Sequence, residues 1–296
     1  MSELINEYLT RLKKALAGSD PATIQDALSD AEEHLWTALQ LASELSPDTS
    51  EQEVIASEIE KFGSAEEVAA AYREIESRIR PALDIPAAPR KKSVAARFFG
   101  VFTDPRAYAS LFYMFFALIL GIFYFTWTVT GLSLSIGFLI LIIGLPFFGL
   151  FLISVRGIAL VDGRIIEALL GERMPRRPIF SKKPKNWRDR LLFLFTDPMV
   201  WKTIFYNLLM LPLGVIYFSL TITSIAISLT LLLRPVLEYA FHLPLVHGNA
   251  WCYWTPGYLM PVSVALGVIW FLLTLHMARG FGKMHAKIAK GMLVRD

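Results

Sequence analysis

The chain changes its hydrophobic rhythm near residue 80. Before that point apolar residues recur at helical spacing. Ile5, Leu9, Leu12 and Leu16 predict one helix that stops near Gly18. Ile24, Leu28, Ala31, Leu35 and Leu39 predict a second, opened by Asp20-Pro21. Val54, Ile55, Ile59 and Phe62 predict a third, which ends at Gly63. Ser64 and Glu67 have the spacing of a capping box for a fourth, over 65–79. Pro81, Pro86 and Pro89 then mark a linker. Beyond it the apolar residues stop alternating with polar ones and run together at 108–127, 132–155, 203–233 and 257–275, with no charged residue inside any run. About 20 apolar residues suffice for a helix to cross the hydrocarbon core. The pattern predicts an all-α membrane protein: a small soluble helical head followed by four transmembrane helices.

Composition strengthens this reading. The chain is 54% hydrophobic and only 19% charged, too apolar for an ordinary soluble domain. No apolar leader segment stands at the N-terminus. The lone cysteine, Cys252, can form no internal disulfide.

Charge divides the chain in the same place. Residues 1–80 hold 17 acidic and 7 basic residues, whereas 81–296 hold 9 and 22. The basic residues flank the apolar runs. Arg173, Arg176, Arg177, Lys182, Lys183, Lys185 and Arg188 form a juxtamembrane cluster between the second and third runs, while Thr128–Ser133 and 234–256 are almost free of positive charge. The positive-inside rule then predicts cytoplasmic termini, a cytoplasmic 156–200 segment, and a turn and a loop outside.

The tetrapeptide FTDP occurs at 102–105 and again at 195–198. Extending that alignment pairs Arg97 with Arg190, Tyr113 with Tyr206, Gly121 with Gly214 and Thr128 with Thr221, and later Arg156-Gly157 with Arg279-Gly280. The membrane region is thus two duplicated helical hairpins, expected as parallel repeats. Asp104 and Asp197 are expected to cap helices that begin with Pro105 and Pro198. The preceding SVAARFFGVF and NWRDRLLFLF read as short interfacial helices. The expected organisation is a head at 1–80, a linker at 81–92, repeat 1 at 93–178 and repeat 2 at 179–296, with an outer insertion at about 234–256.

Two surfaces carry candidate chemistry. The acidic face of the head, with Asp26, Asp30, Glu32 and Glu33, is either a solvated helix face or a docking face for a basic surface such as 173–190, within the chain or on a partner. His34 stands beside that face. The outer loop offers a ligand rim of Arg234, Glu238, His242, His247, Trp251 and Trp254. Arg234 and Glu238 can pair at four-residue spacing; the tryptophans suit the membrane interface. His242, His247 and Cys252 match no strong metal pattern, so no metal and no cofactor is expected. No phosphate-binding loop, zinc-protease motif, nucleophile elbow or paired CxxC occurs, and the runs lack the acids and bases of ion-coupled transport.

EYLTRLKKAL, DALSDAEEHL and EVIASEIEKFGSAEEVAAAYRE, within residues 4–76, resemble the HAAS signalling domain. Residues 93–294, with two hairpins that each close on Arg-Gly and an amphipathic segment (GIALVDGRIIEALLGERMP and GFGKMHAKIAKGMLV), resemble the bacterial membrane domain family called Putative sensor. The resemblance implies signalling and transfers no catalytic residue. The expected function is a non-enzymatic sensor in the bacterial inner membrane that relays a stimulus through its head. Its expected partners are lipids, a cytoplasmic protein and a second copy of itself, with no nucleic acid. The alternatives are a transporter or channel subunit with a regulatory head, or an oligomeric membrane scaffold.

Overall fold

The structure, a computed structural model, describes residues 3–45, 50–79, 81, 83, 93–138, 144–177, 196–244, 246–247 and 252–294. Its helices are α1 (Glu3–Ala15), α2 (Pro21–Leu45), α3 (Glu51–Phe62), α4 (Ala65–Arg78), α5 (Val94–Phe99), α6 (Pro105–Phe138), α7 (Gly144–Leu170), α8 (Pro198–Leu232), α9 (Arg234–Tyr239) and α10 (Met260–Leu293). Two residue pairs form a minimal antiparallel ribbon, with Val246 opposite Tyr253 and His247 opposite Cys252. The chain forms two compact units. One comprises Met1–Ile85, Thr126–Asn207 and Ala286–Asp296, the other Pro86–Phe125 and Leu208–His285.

In the first unit, α1–α4 build the head around Ile5, Tyr8, Leu12, Leu16, Leu35 and Ile55. Each fully buried aliphatic side chain stabilises such a core by about 1.5–3 kcal/mol. The helix starts follow local chemistry. The Ala22 N–H donates to Asp20 Oδ1 at 2.9 Å. Ser64 and Glu67 form the reciprocal capping box that opens α4. The Tyr8 hydroxyl donates to the Gly63 carbonyl at 3.0 Å, tying α1 to the α3–α4 turn.

The same unit contains the end of α6, packed antiparallel to α7. Trp127 Nε1 donates to Ser154 Oγ at 2.9 Å, Gly131 lies against the Phe151 ring, and Phe138 meets Phe147 at 5.3 Å between ring centroids. The expected turn at Thr128–Ser133 is therefore helix. Nothing in TVTGLS forbids it: there is no proline, and the single glycine costs a helix only about 1 kcal/mol.

This shifts the count of spans. Among the described residues three helical segments are long and apolar enough to cross a membrane: Pro105–Phe138, Pro198–Leu232 and Gly257–Leu293, each with a mean hydropathy of 2.0. The expected fourth is not among them. Residues 132–138 of its apolar run belong to α6, and α7 offers only 144–155 before Arg156. Those residues rise about 18 Å, short of the roughly 30 Å hydrocarbon core.

In the second unit, the first part of α6 crosses α8 with small residues at the contact. A Cβ added to Gly121 would stand 2.5 Å from the Met210 carbonyl oxygen, and one added to Gly214 would stand 2.5 Å from that of Ala117. Phe115 meets Phe218 at 5.3 Å. As residue numbers rise along α6 they fall along α8, so these helices are antiparallel. The expectation of parallel repeats is corrected here. Gly121 and Gly214, which carry no side chain, let the two backbones touch in this antiparallel crossing. Elsewhere in this unit α8 runs antiparallel to α10, through Ser224 Oγ and Thr274 Oγ1 at 2.6 Å and Ser228 Oγ donating to the Gly267 carbonyl at 3.1 Å.

Ahead of α6, SVAARFFGVF forms α5 and a 3-10 turn, Gly100–Thr103, as a short helix was expected there. Its counterpart NWRDRLLFLF lies outside the described residues.

Candidate functional site

The concentration of charge in the first unit lies where the head meets the segment after α7. Gly171 ends α7 at φ 73° and approaches the Leu83 backbone so closely that an added Cβ would stand 3.0 Å from Leu83 Cβ. This left-handed residue turns the chain into GERMPRR, 171–177, which lies along α2 of the head.

Arg173 is the centre. Only 8% exposed, it donates from Nη2 to Asp26 Oδ2 at 2.9 Å and from Nε to Glu76 Oε1 at 2.8 Å. Asp26 in turn accepts the backbone N–H groups of Arg176, at 2.9 Å, and Arg177, at 3.1 Å. Arg177 Nη1 reaches Asp30, one helical turn along α2. Arg176 Nη2 bonds Glu167 at 2.7 Å and the Ile79 carbonyl at 3.3 Å. A second contact joins the C-terminal end of α10 to the head: Lys290 Nζ lies 2.5 Å from Asp20 and 3.5 Å from Glu172.

Burial pushes the Asp26 carboxyl above its ordinary pKa, against the pull of the Arg176 and Arg177 N–H groups and the Arg173 guanidinium. For Arg173, burial lowers the pKa and the bonds and charges of Glu76, Asp26 and Glu167 reverse it, so the net shift is upward. Such a cluster is only modestly favourable as a whole, because desolvation offsets attraction. Breaking one partner out of it is expensive, about 3–5 kcal/mol. The site is a chemical latch: closed when complete, weak when any member is withdrawn.

Of the four acidic residues expected to form a docking face on the head, Asp26 and Asp30 face the arginines, Glu32 is half-buried and Glu33 is exposed. His34 serves the head itself, stacked on Phe62 at 4.6 Å and 3.7 Å from Glu58. Arg173, Arg176 and Arg177 are in the contact; Lys182, Lys183, Lys185 and Arg188 lie outside the described residues. Glu76 and Lys290 were not anticipated.

The outer candidates separate. Arg234 Nε and Glu238 Oε2 pair at 3.2 Å, both only 4% exposed. Arg234 also donates to Thr255 Oγ1 at 2.9 Å, and Glu238 accepts the Thr255 N–H. The pair anchors α9 to the segment after the ribbon and is buried rather than presented at a rim. His242 is exposed with φ 51°, and Trp254 is exposed. The side chain of His247 and all of Trp251 lie outside the described residues. Among the described residues no group of three or more His, Cys, Asp or Glu could hold a metal ion.

The repeat aspartates both cap and pair. Asp104 Oδ1 accepts the Arg106 N–H and Asp197 Oδ1 the Met199 N–H, each at 3.1 Å. Asp104 also meets Arg279 at 2.9 Å in the second unit, and Asp197 meets Arg156 at 2.5 Å in the first. Each aspartate takes the arginine of the opposite repeat. Six residues further along, Asp162 and His285 correspond in the same alignment. Asp162 accepts from Tyr206 at 2.6 Å, and His285 shares a 2.5 Å hydrogen bond with Tyr113. The tyrosine correspondence was visible in the sequence; its partners needed the Arg-Gly alignment carried six residues on.

Two known families match the chain. The model described as Putative sensor matches residues 113–293. The chain belongs to the Putative sensor family. The HAAS model matches residues 7–71, the acidic head. No curated protein and no solved structure matches the chain. The sensor match begins at Tyr113 and so takes in both tyrosine pairs, while the Arg173 latch joins it to the HAAS head.

Proposed function

We propose that this protein is a non-enzymatic signalling regulator of the bacterial inner membrane, in which the HAAS head is held against the membrane region and released to engage a cytoplasmic partner. The head side is the cytoplasmic side in this reading: Arg173, Arg176, Arg177 and Lys290 lie beside the head, and basic residues mark the cytoplasmic face. The observation that carries the proposal is Arg173, buried and shared between Asp26 on α2 and Glu76 on α4. A contact that grips two helices of the head through one guanidinium is sensitive to small displacements of the segment that bears it. A stimulus that shifts α7 would withdraw Arg173 and free the acidic face.

The test is partner capture by full-length protein in native membranes, comparing wild type with Arg173→Glu. The variant should show greater protease access to the 81–92 linker and greater crosslinking from Glu33→Cys to a cytoplasmic protein. Restoring the pair with Glu76→Arg in the Arg173→Glu background should reverse both. Identical protease access and capture in all three proteins would overturn the reading. Solute flux through proteoliposomes above background would replace it with the transport alternative.

A further inference from the structure

A cleft of about 450 Å³ opens beside Arg173, within the same unit. That volume falls in the range of ligand sites, about 300–1,000 Å³. Its walls are polar. Asp20 and Thr23 stand at the start of α2, Arg73 and Glu76 on α4, and Glu172 and Arg173 after α7. No residue of a candidate membrane span lines it, so a ligand reaches it from water.

Most of the charge in these walls is committed. Arg173 is shared between Asp26 and Glu76. Asp20 accepts the Ala22 N–H and meets Lys290 at 2.5 Å. Two groups are left over. Among the described residues Arg73 donates to the Ala15 carbonyl and makes no ion pair. The Glu172 side chain is 43% exposed, and its cation, Lys290, stands 3.5 Å away and nearer to Asp20. One spare positive and one spare negative group thus line the same cleft. A simple cation drawn to Glu172 is repelled by Arg73, and a simple anion meets the reverse; a molecule carrying both charges satisfies both. Thr23 adds a further polar group to the wall. It is 1% exposed and its Oγ1 has no hydrogen-bond partner, whereas buried hydroxyls are normally bonded.

We infer that this cleft binds a small zwitterion of the amino-acid class, carboxylate at Arg73 and ammonium at Glu172, and that the bound molecule holds the head closed. It joins α4 of the head to the segment that bears Arg173 through two charge-assisted contacts. The cleft exists only while the head is docked, so binding shifts the population toward the docked state.

This inference rests on the latch reading, and the experiment separates the two. Full-length protein carrying Cys252→Ser, Asp30→Cys and Arg177→Cys, none of which lines the cleft, is placed in phosphatidylglycerol nanodiscs and treated with a short bis-maleimide. The two cysteines should crosslink without ligand; failure to do so overturns the latch itself. Protein carrying Cys252→Ser alone is then melted with each of the common L-amino acids in turn. At least one should raise the Tm in a saturable way, and its N-acetyl and methyl-ester derivatives, which lack one charge each, should not. Glu172→Gln should keep the ligand-free Tm and weaken the apparent affinity about tenfold. Arg73→Gln should weaken it as much, and Arg73→Lys should recover part of the loss. Asp26→Lys, which opens the latch without altering the cleft wall, should abolish the shift. A crosslink that forms while no amino acid raises the Tm overturns the inference and leaves the latch standing. So does a shift that the derivatives reproduce, that both glutamine variants retain, or that survives Asp26→Lys. Stabilisation by glycerophosphoethanolamine in place of the amino acids also overturns it, by assigning the cleft to a lipid headgroup.

Discussion

Asp197 meets Arg156 at 2.5 Å while its other carboxylate oxygen accepts the Met199 N–H at 3.1 Å, so one side chain both starts α8 and ties it to α7. Its repeat counterpart, Asp104, does the same for α6 and α10 through Arg279. The two pairs differ in burial, and burial decides their worth. Asp197→Asn should destabilise the detergent-solubilised protein by about 2 kcal/mol, the loss of a charge-assisted bond to a largely buried guanidinium. Arg279 is 35% exposed, so Asp104→Asn should cost nearer 1 kcal/mol. Thermal unfolding in mild detergent measures both; equal losses would contradict the ranking.

Gly121→Val should be among the most damaging single changes in the membrane region. The new side chain would begin 2.5 Å from the Met210 carbonyl oxygen, which belongs to helix backbone and cannot swing away. Overpacking of this kind costs about 1–3 kcal/mol. Gly214→Val strikes the same crossing from the other helix. The double variant should therefore lose less than the sum of the two, since helices already forced apart have little contact left to lose. Additive losses in thermal unfolding would place the crossing elsewhere.

The latch should respond unevenly to salt. Arg173 is buried and Arg177 is half-exposed, and mobile ions screen only the exposed pair well. Raising ionic strength should leave wild-type head docking nearly intact, and should release the head of Arg173→Lys, whose ammonium cannot grip two carboxylates in fixed geometry. Protease access to residues 81–92, followed against salt in membrane vesicles, gives the comparison.

Alkaline pH should destabilise the head in a step to which Tyr8 contributes. Burial, with the charges of Glu66 and Glu67, pushes its hydroxyl from 10.0 up to about 12. A raised acid favours the folded state only while protonated. The contribution is full below pH 10 and is lost as pH rises through the folded value. The loss reaches about 3 kcal/mol, since one pKa unit corresponds to 1.36 kcal/mol. Tyr8→Phe should shrink this step in the helical circular-dichroism titration, leaving the part due to Tyr72, whose hydroxyl burial and Asp30 also push upward, while lowering stability at neutral pH by about 1 kcal/mol for the lost bond to Gly63.

What the sequence revealed and what it concealed follow from the range of the forces involved. The four head helices, the Ser64–Glu67 box and the prolines that open α6 and α8 depend on neighbours a few residues away, so periodicity and capping residues disclosed them. The Arg234–Glu238 pair also lay within one helical turn, but its burial depended on Thr255, seventeen residues from Glu238. Docking of Asp26 on the arginine segment spans 147 residues. Opposite charge made such a contact conceivable without choosing Arg173 or bringing in Glu76. The repeat was legible; its direction was not, because an alignment says which residues correspond and nothing about how two backbones cross. The fourth span failed for a local reason: a continuous apolar run was read as one element, and the α6 helix continues into it to Phe138.

The glycine crossing carries a consequence of its own. Gly121 meets Met210, Gly214 meets Ala117, and in the duplication Gly121 corresponds to Gly214 and Ala117 to Met210. One hairpin thus possesses both the lock and the key. A single helix of this pattern could therefore clasp a second copy of itself in the same register, and the two copies in this chain differ at Asp162 and His285.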